Sequence, residues 1–368
     1  MKLRFPENFY WGSATSAYQV EGGIKNDWSS FLDAGMACDH YSRFEEDFDI
    51  AKSLGHNAHR FSIEWSRIEP EEGKFDEKEI EHYQKVINAL REREIEPFVT
   101  LYHWTLPVWL AEKGGWLNKD APKYFEKYVQ KISQSISSVR FWITINEPQI
   151  YTGHSYLKGI WPPQKKSVFK YIRVLKKLIE AHKLAYRVLH SNEPRHQVGI
   201  AKYNFYFQGL KGIFISWWWN FWFLNNIKNY QDFIGLDFYK SFLFPKNKSL
   251  PVSDMNWQIY PEGIYHVLKD LKKYNLPIYI TENGLADSKD EKREKFIKDH
   301  LRFVHKTIQD GVDVRGYFHW SLLDNFEWDK KYWPRFGLVE MNYDTLERKI
   351  RPSALEYANI CKTNTLAT

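Results

Sequence analysis

The chain is poor in cysteine. Only Cys38 and Cys361 occur among 368 residues, far apart and in no metal-ligand spacing, which excludes a disulfide framework and points to a reducing compartment, so the expected location is cytoplasmic. Long apolar runs are missing as well. The most apolar stretch, Gly212 to Leu224, is interrupted by Asn220 and is too short to span a bilayer. The opening residues M-K-L-R-F-P-E-N-F-Y-W have neither the apolar run nor the small-residue cleavage site of a signal peptide, and no membrane partner is expected. No G-x-G-x-x-G follows the first predicted strand, and neither G-x-S-x-G nor G-x-x-x-x-G-K-[ST] occurs, which removes the dinucleotide, esterase and phosphoryl-transfer readings. With no H-E-x-x-H and no clustered His, Cys and Asp, neither a metal nor another cofactor is expected. Charge of one sign is in small excess, +6 net. Apart from pairs such as Lys165-Lys166 and Lys272-Lys273, Lys and Arg are scattered among acids, a pattern of solvation with no nucleic-acid footprint.

Aromatic residues, in contrast, are abundant: 16 Trp, 23 Tyr and 25 Phe make up 17% of the chain. A large aromatic core accounts for much of that, but flat apolar faces with a polar handle also suit sugar rings. The length allows two domains or one large barrel. Short apolar runs predict strands at Phe9 to Ser13, Asn57 to Ile63, Ile95 to Trp104, Phe141 to Asn146, Gln197 to Phe207, Asp232 to Tyr239, Pro277 to Glu282 and Val314 to Trp320. Helical spacing predicts helices between them, at Tyr41 to Leu54, Glu77 to Arg93, Ala121 to Ser137, Ser167 to His190, Pro261 to Lys273 and Glu291 to Asp310, with Pro352 to Cys361 closing the chain. Phe214, Trp217, Trp218, Trp219, Phe221, Trp222, Phe223 and Leu224 crowd into one further helix between Gly209 and Asn229. A helix apolar nearly all round is expected to be buried, with a partner interface or a flat apolar ligand as alternatives.

Strands alternating with helices imply a parallel sheet, and eight such units with no linker or composition shift predict one closed (β/α)8 barrel spanning residues 1–368 as a single domain. A doubly wound open sheet is the runner-up. In a barrel the carboxyl ends of the strands share one face, where active sites are built. Read off those ends are Gln19, His103, Trp104, Asn146, Glu147, Tyr239, Glu282, Trp320, Glu327 and Trp328. Each alone passes for a satisfied polar or packed aromatic group; their concentration on one rim predicts a pocket. F-W-I-T-I-N-E-P and P-I-Y-I-T-E-N-G both end a buried strand on a glutamate, Glu147 and Glu282. Two carboxylates with hydroxyl-matching amides, an imidazole and indoles are the groups that glycosidic bond hydrolysis requires.

The chain resembles family 1 glycoside hydrolases, the β-glucosidase family, in F-Y-W-G-S-A-T-S-A-Y-Q-V-E-G (9–22), R-F-S-I-E-W-S-R-I-E-P (60–70), T-L-Y-H-W (100–104), I-N-E-P (145–148), I-T-E-N-G (280–284) and W-S-L-L-D-N-F-E-W (320–328). The six matches cover the chain in the family's order. The resemblance implies that Glu147 is the acid/base and Glu282 the nucleophile of a retaining double displacement. It also implies that Gln19, His103, Asn146, Glu327 and Trp328 hold the sugar over Trp320, and that Tyr239 hydrogen-bonds the nucleophile. Arg60 is implied to lie beside Glu282 and to lower its pKa. One departure stands out: where most of the family has N-Y-Y, this chain has Asp237, Phe238 and Tyr239. An ionised Asp237 would raise the pKa of Glu147. The chain is also shorter than most members, which implies an open cleft. Glu327 beside Trp328 matches the form that holds free hydroxyls, where a phosphate would be repelled. Expected substrates are therefore small β-glycosides or oligosaccharides, namely neutral β-glucosides, β-galactosides or β-fucosides, with a monomer or small homo-oligomer as the working form. A transglycosylase with the same site, or a non-catalytic barrel binding a sugar or flat apolar ligand, are the alternatives.

Overall fold

Runs of buried residues form the strands, and each pairs with the next along the chain. The computed structural model describes residues 2–136, 138–243 and 249–367. Among these, β1 (Tyr10–Ala14), β2 (Ala58–Ser62), β3 (Glu96–Thr100), β4 (Phe141–Asn146), β5 (Gln197–Tyr203), β6 (Phe233–Asp237), β7 (Ile278–Asn283) and β8 (Val314–Trp320) close into an all-parallel barrel. β8 seals it against β1, in register from Gly316 beside Tyr10 to Trp320 beside Ala14. The expected (β/α)8 fold is the one observed.

Around the barrel lie α1 (His40–Ser53), α2 (Glu77–Glu92), α3 (Ala121–Ser135), α4 (Val168–Asn192), α5 (210–227), α6 (Glu262–Leu271), α7 (Arg293–Gln309) and α8 (Pro352–Thr363). The local logic is plain in α2. The Asp76 carboxylate caps it by accepting from the Lys78 and Glu79 amides, and Ile80, Tyr83, Val86, Ile87 and Leu90 line its buried side at helical spacing. The expected end of α3 at Ser137 lies outside the described residues.

Inside the lower barrel, side chains from successive strands fill the lumen as a packed core. Phe98 stacks on Phe141 with ring centres 4.2 Å apart, and Tyr279 and Phe318 meet Phe98 edge-on at 5.2 and 4.8 Å. This aromatic plug is the floor on which the opposite, carboxyl-end rim is built.

Three expected elements differ. The strand expected to run to Trp104 stops at Thr100, and Trp104 has a left-handed backbone, φ 79°. Its last residues are thereby turned into the rim loop. The strand expected from Gln197 to Phe207 breaks after Tyr203; Tyr206–Phe207 instead pairs with Ser241–Phe242 outside the barrel. The cause is a clamp: the Asn220 side chain accepts from the Phe205 amide at 3.0 Å and donates to its carbonyl at 2.8 Å, taking both groups that a barrel ladder would use. The tryptophan-rich helix is not one regular buried cylinder. It comprises Leu210–Ser216, a π-helical turn at Trp217–Phe221, and Trp222–Ile227. Phe221, Phe223, Leu224 and Ile227 are buried, whereas Phe214 is 83% and Trp217 56% exposed.

Gly284 shows how tightly the rim is drawn. A Cβ there would lie 1.9 Å from the Trp320 carbonyl oxygen, a backbone atom that cannot step aside. Gly284→Ala should therefore force β7 and β8 apart, with about 1–3 kcal/mol lost or more. A fall in the urea midpoint together with loss of turnover is the expected result.

Candidate active site

Arg60 stands at the centre of the rim, on β2, and is 1% exposed. Its guanidinium donates to Glu282 Oε1 at 2.6 Å, Asn146 Oδ1 at 2.5 Å and Thr100 Oγ1 at 3.1 Å, so one cation sets the ends of β3, β4 and β7 relative to each other. Asn146, held by its oxygen, turns its amide nitrogen to His103 Nε2 at 3.1 Å. The network thus makes Nε2 the acceptor and puts the imidazole proton on Nδ1. Burial, then Arg60, holds His103 well below its usual pKa, so the ring is neutral. His103 Nδ1 is buried with no partner among the described residues, a donor available for a substrate hydroxyl.

Glu147 follows β4 directly. Its left-handed backbone, φ 41°, and its amide bond to the Ala201 carbonyl at 2.8 Å swing its side chain into the rim before Pro148 starts a short helix. Glu282, on β7, faces it. Carboxylate oxygens of Glu147, Glu282 and Asp237 lie within 4.8 Å of one another. Such spacing fits retaining geometry, about 5–5.5 Å, and not the roughly 6.5–9.5 Å of an inverting pair.

The two glutamates are chemically unlike. Glu282 takes hydrogen bonds on both oxygens, from Arg60 and from the Tyr239 hydroxyl at 2.8 Å. Burial and Asp237 push its pKa up to about 8, and Arg60 and Tyr239 pull against them. The expected lowering by Arg60 is present but outweighed, because the carboxyl is desolvated and a third acid sits beside it. Glu147 is pushed further up by burial, by Glu282 and by Asp237, opposed only by the more distant charges of Arg60 and Lys202. Glu282 therefore ionises first and Glu147 keeps its proton, the division of labour that a nucleophile and an acid need.

Asp237, at the end of β6, is fully buried. It accepts from Thr281 Oγ1 at 2.6 Å, lies 3.6 Å from Arg60, and leaves Oδ2 with no partner among the described residues. Burial raises its pKa to about 6. Its company was not anticipated from the sequence: Lys202 of β5 is 1% exposed, donates to the Tyr203 carbonyl at 2.6 Å, and lies 5.7 Å from the centre of the Trp219 ring. Burial brings Lys202 down to about 7, while Glu147 and Asp237 favour its charged form. The signal was available in G-I-A-K-Y-N, a lysine inside an otherwise apolar strand. Three acids thus share one centre with two cations.

The remaining expected residues occupy the rim with differing freedom. Trp104 Nε1 donates to the Asn146 carbonyl at 3.0 Å, and its ring lies 4.8 Å from that of Trp328. Trp320 and Trp328 both lie nearly parallel to His103, at 6.1 and 6.0 Å, forming one aromatic wall. Trp320 Nε1 donates to Glu327 Oε1 at 3.0 Å, and burial raises Glu327 to about 7. Gln19 is on the same rim, but its amide is already used: Nε2 donates to Asn325 Oδ1 and the Phe326 carbonyl, and Oε1 accepts from Ser16. It ties the β1 end to the loop after β8.

A parallel barrel with two close, unlike glutamates at the carboxyl ends of β4 and β7 defines a retaining O-glycosyl hydrolase. The chain belongs to glycosyl hydrolase family 1, whose family model matches residues 1–207 and 224–366. It is 35% identical to beta-glucosidase A of Thermotoga maritima, over 440 aligned positions covering 99% of each chain. The excess of aligned positions over 368 residues reflects insertions that the relative carries and this chain lacks. Among solved structures it is similar to the beta-glycosidase from Pyrococcus horikoshii, with TM-score 0.94, 38% identity and coverage of 100% of this chain and 97% of the other. It is likewise similar to the Thermotoga maritima beta-glucosidase solved in complex with castanospermine, with TM-score 0.93, 33% identity and full coverage of both chains.

Removing the negative charge of Asp237 lowers the pKa of both neighbouring glutamates. Asp237→Asn should therefore move both limbs of the kcat/KM pH profile to lower pH. Lys202→Met, which removes a positive charge, should move the Glu147 limb the other way. Profiles unchanged in both variants would rule out this electrostatic coupling.

Proposed function

We propose that this protein, acting as one catalytic unit over residues 1–368, hydrolyses terminal non-phosphorylated β-D-glycosides, with β-glucosides first and β-galactosides or β-fucosides accepted. Glu282 attacks the anomeric carbon while Glu147 protonates the leaving oxygen. The covalent intermediate neutralises Glu282, which lowers the pKa of Glu147 and lets it take a proton from water in the second step. The observation that carries this reading is the approach of the Glu147 and Glu282 oxygens to within 4.8 Å with unequal hydrogen bonding.

His103 Nδ1, Asn146, Glu327 and the indoles of Trp104, Trp320 and Trp328 are the groups proposed to hold the glycone. Arg60 and Tyr239 position the nucleophile, and Gln19 acts mainly by fixing the loop that carries Glu327. The β-glucosidase name of the Thermotoga maritima relative supports glucosides as the first substrates to try. Glu327, an acid held by the Trp320 indole in the aromatic wall, supports free hydroxyls over a phosphate. Two free buried cysteines support a cytoplasmic location.

Nitrophenyl β-glycosides provide the test. Glu282→Gln should abolish nitrophenol release. Glu147→Gln should lose about 10²–10⁴-fold on substrates with poor leaving groups and much less on those with acidic aglycones, since these need no proton. The first-formed sugar should be the β-anomer by NMR; an α-anomer, or no release from any glycoside by the unaltered enzyme, overturns the reading. A second measurement checks the role of Glu327: 6-phosphorylated β-glucosides should not be cleaved, whereas Glu327→Gln should raise KM for the free glucoside.

A further inference from the structure

The segment that the family model leaves unmatched, residues 208–223, contains the exposed first turns of the tryptophan-rich helix. Ile213, Phe214 and Trp217 of α5 are 63%, 83% and 56% exposed. Beside them, α4 opens with Phe169 at 87% exposure. The two helices meet where the Tyr171 hydroxyl of α4 lies beside Trp218 of α5, and Gln149, in the short helix after β4, donates from Nε2 to the Trp218 carbonyl at 3.3 Å. Large apolar side chains this exposed and this close form a patch of the kind that marks a contact surface.

Charge around the patch decides what it meets. Residues 148–179, 194–231 and 238–253 contain no Asp or Glu. Lys158, Lys165, Lys166, Lys170 and Lys228 in these stretches are exposed. The positive excess is thus less dispersed along the chain than the scatter of Lys and Arg suggests, because it falls in the same acid-free stretches that carry the exposed apolar side chains. A second copy of the chain docking there by two-fold symmetry would set this cationic rim against itself. Exposed apolar and aromatic side chains and lysines in stretches of chain that carry no acid match the interface of an anionic bilayer, where rings enter the headgroup boundary and lysines meet lipid charge. We propose that the face formed by α5 and the start of α4 docks this enzyme on anionic lipid surfaces.

Among the described residues no helix is long and apolar enough to cross a membrane, and lying on one makes no such demand. The absence of a spanning run, from which no membrane partner is expected, therefore does not bear on this face. It also borders the catalytic rim. From Glu282, Tyr239 leads to Tyr203 at 5.5 Å, then Phe205 at 4.4 Å, then Trp219 at 5.2 Å between ring centres. A docked molecule would hold its catalytic rim near glycosides that carry lipid or alkyl aglycones.

Co-sedimentation of the full chain with vesicles tests this without turnover, so its failure is separate from any failure of the glycosidase reading. Vesicles of phosphatidylcholine mixed with phosphatidylglycerol should carry the protein down, and pure phosphatidylcholine should do so about tenfold less. Added salt should release it. Phe214→Ser with Trp217→Ser, and separately Lys165→Glu with Lys166→Glu and Lys170→Glu, should each weaken binding by about tenfold or more while leaving turnover of a soluble aryl glucoside unchanged. Three outcomes would overturn the proposal: no sedimentation with either vesicle, equal sedimentation with both, or a dimer in light scattering that Phe214→Ser dissociates.

Discussion

Everything at the carboxyl rim leans on the guanidinium of Arg60. It is buried, so its charge has to be balanced nearby, and it is planar, so its partners have to lie in one fan. Glu282, Asn146 and Thr100 occupy that fan, with Asp237 just beyond it. Because those partners end different strands, the cation converts the closure of the barrel into the placement of chemical groups. Asn146 then fixes the tautomer of His103, and Tyr239 completes the coordination of Glu282. No single contact in the set is strong for a surface interaction. In a desolvated rim each becomes costly to leave unmade.

The centre also departs from a simple two-acid design. A third carboxyl within 4.8 Å of both glutamates adds repulsion that raises the proton affinity of each, and a second buried cation, Lys202, offsets part of it at Glu147. Two acids suffice for the chemistry; the additional acid and base set the pH range in which the two are differently protonated. The relevant comparison is therefore between the partners of each carboxyl rather than between their positions in the chain.

Much of this was legible beforehand because the strands are short, apolar and evenly spaced, and because the rim residues follow them directly. The eight-fold alternation and the glutamates at the carboxyl ends of β4 and β7 belong to that class. What was not legible depended on contacts distant in sequence. Nothing near Phe205 announces that Asn220, fifteen residues on, will take its backbone hydrogen bonds and break the expected strand. Nothing in the tryptophan cluster says which rings meet the barrel and which meet solvent, because a π-helical turn shifts the facing of everything after Trp217. The resemblance implies that Gln19 holds the sugar, but nothing near Gln19 announces that its amide nitrogen also donates to Asn325 and Phe326, some three hundred residues on. Likewise the proton affinity of Glu282 could not be inferred from Arg60 alone, since burial and Asp237 act on it together.

That tie between Gln19 and the loop after β8 joins positions 306 and 307 residues apart. It runs along the seam where the last barrel strand meets the first. During synthesis, strands β1 to β7 can exist as an open, curved sheet, but the aromatic wall of Trp320 and Trp328 and the acid of Glu327 arrive only with the final segment. On the proposed reading, sugar binding is consequently a property of the finished ring: a truncated chain that holds both Glu147 and Glu282 would still lack the wall that Trp320, Glu327 and Trp328 complete.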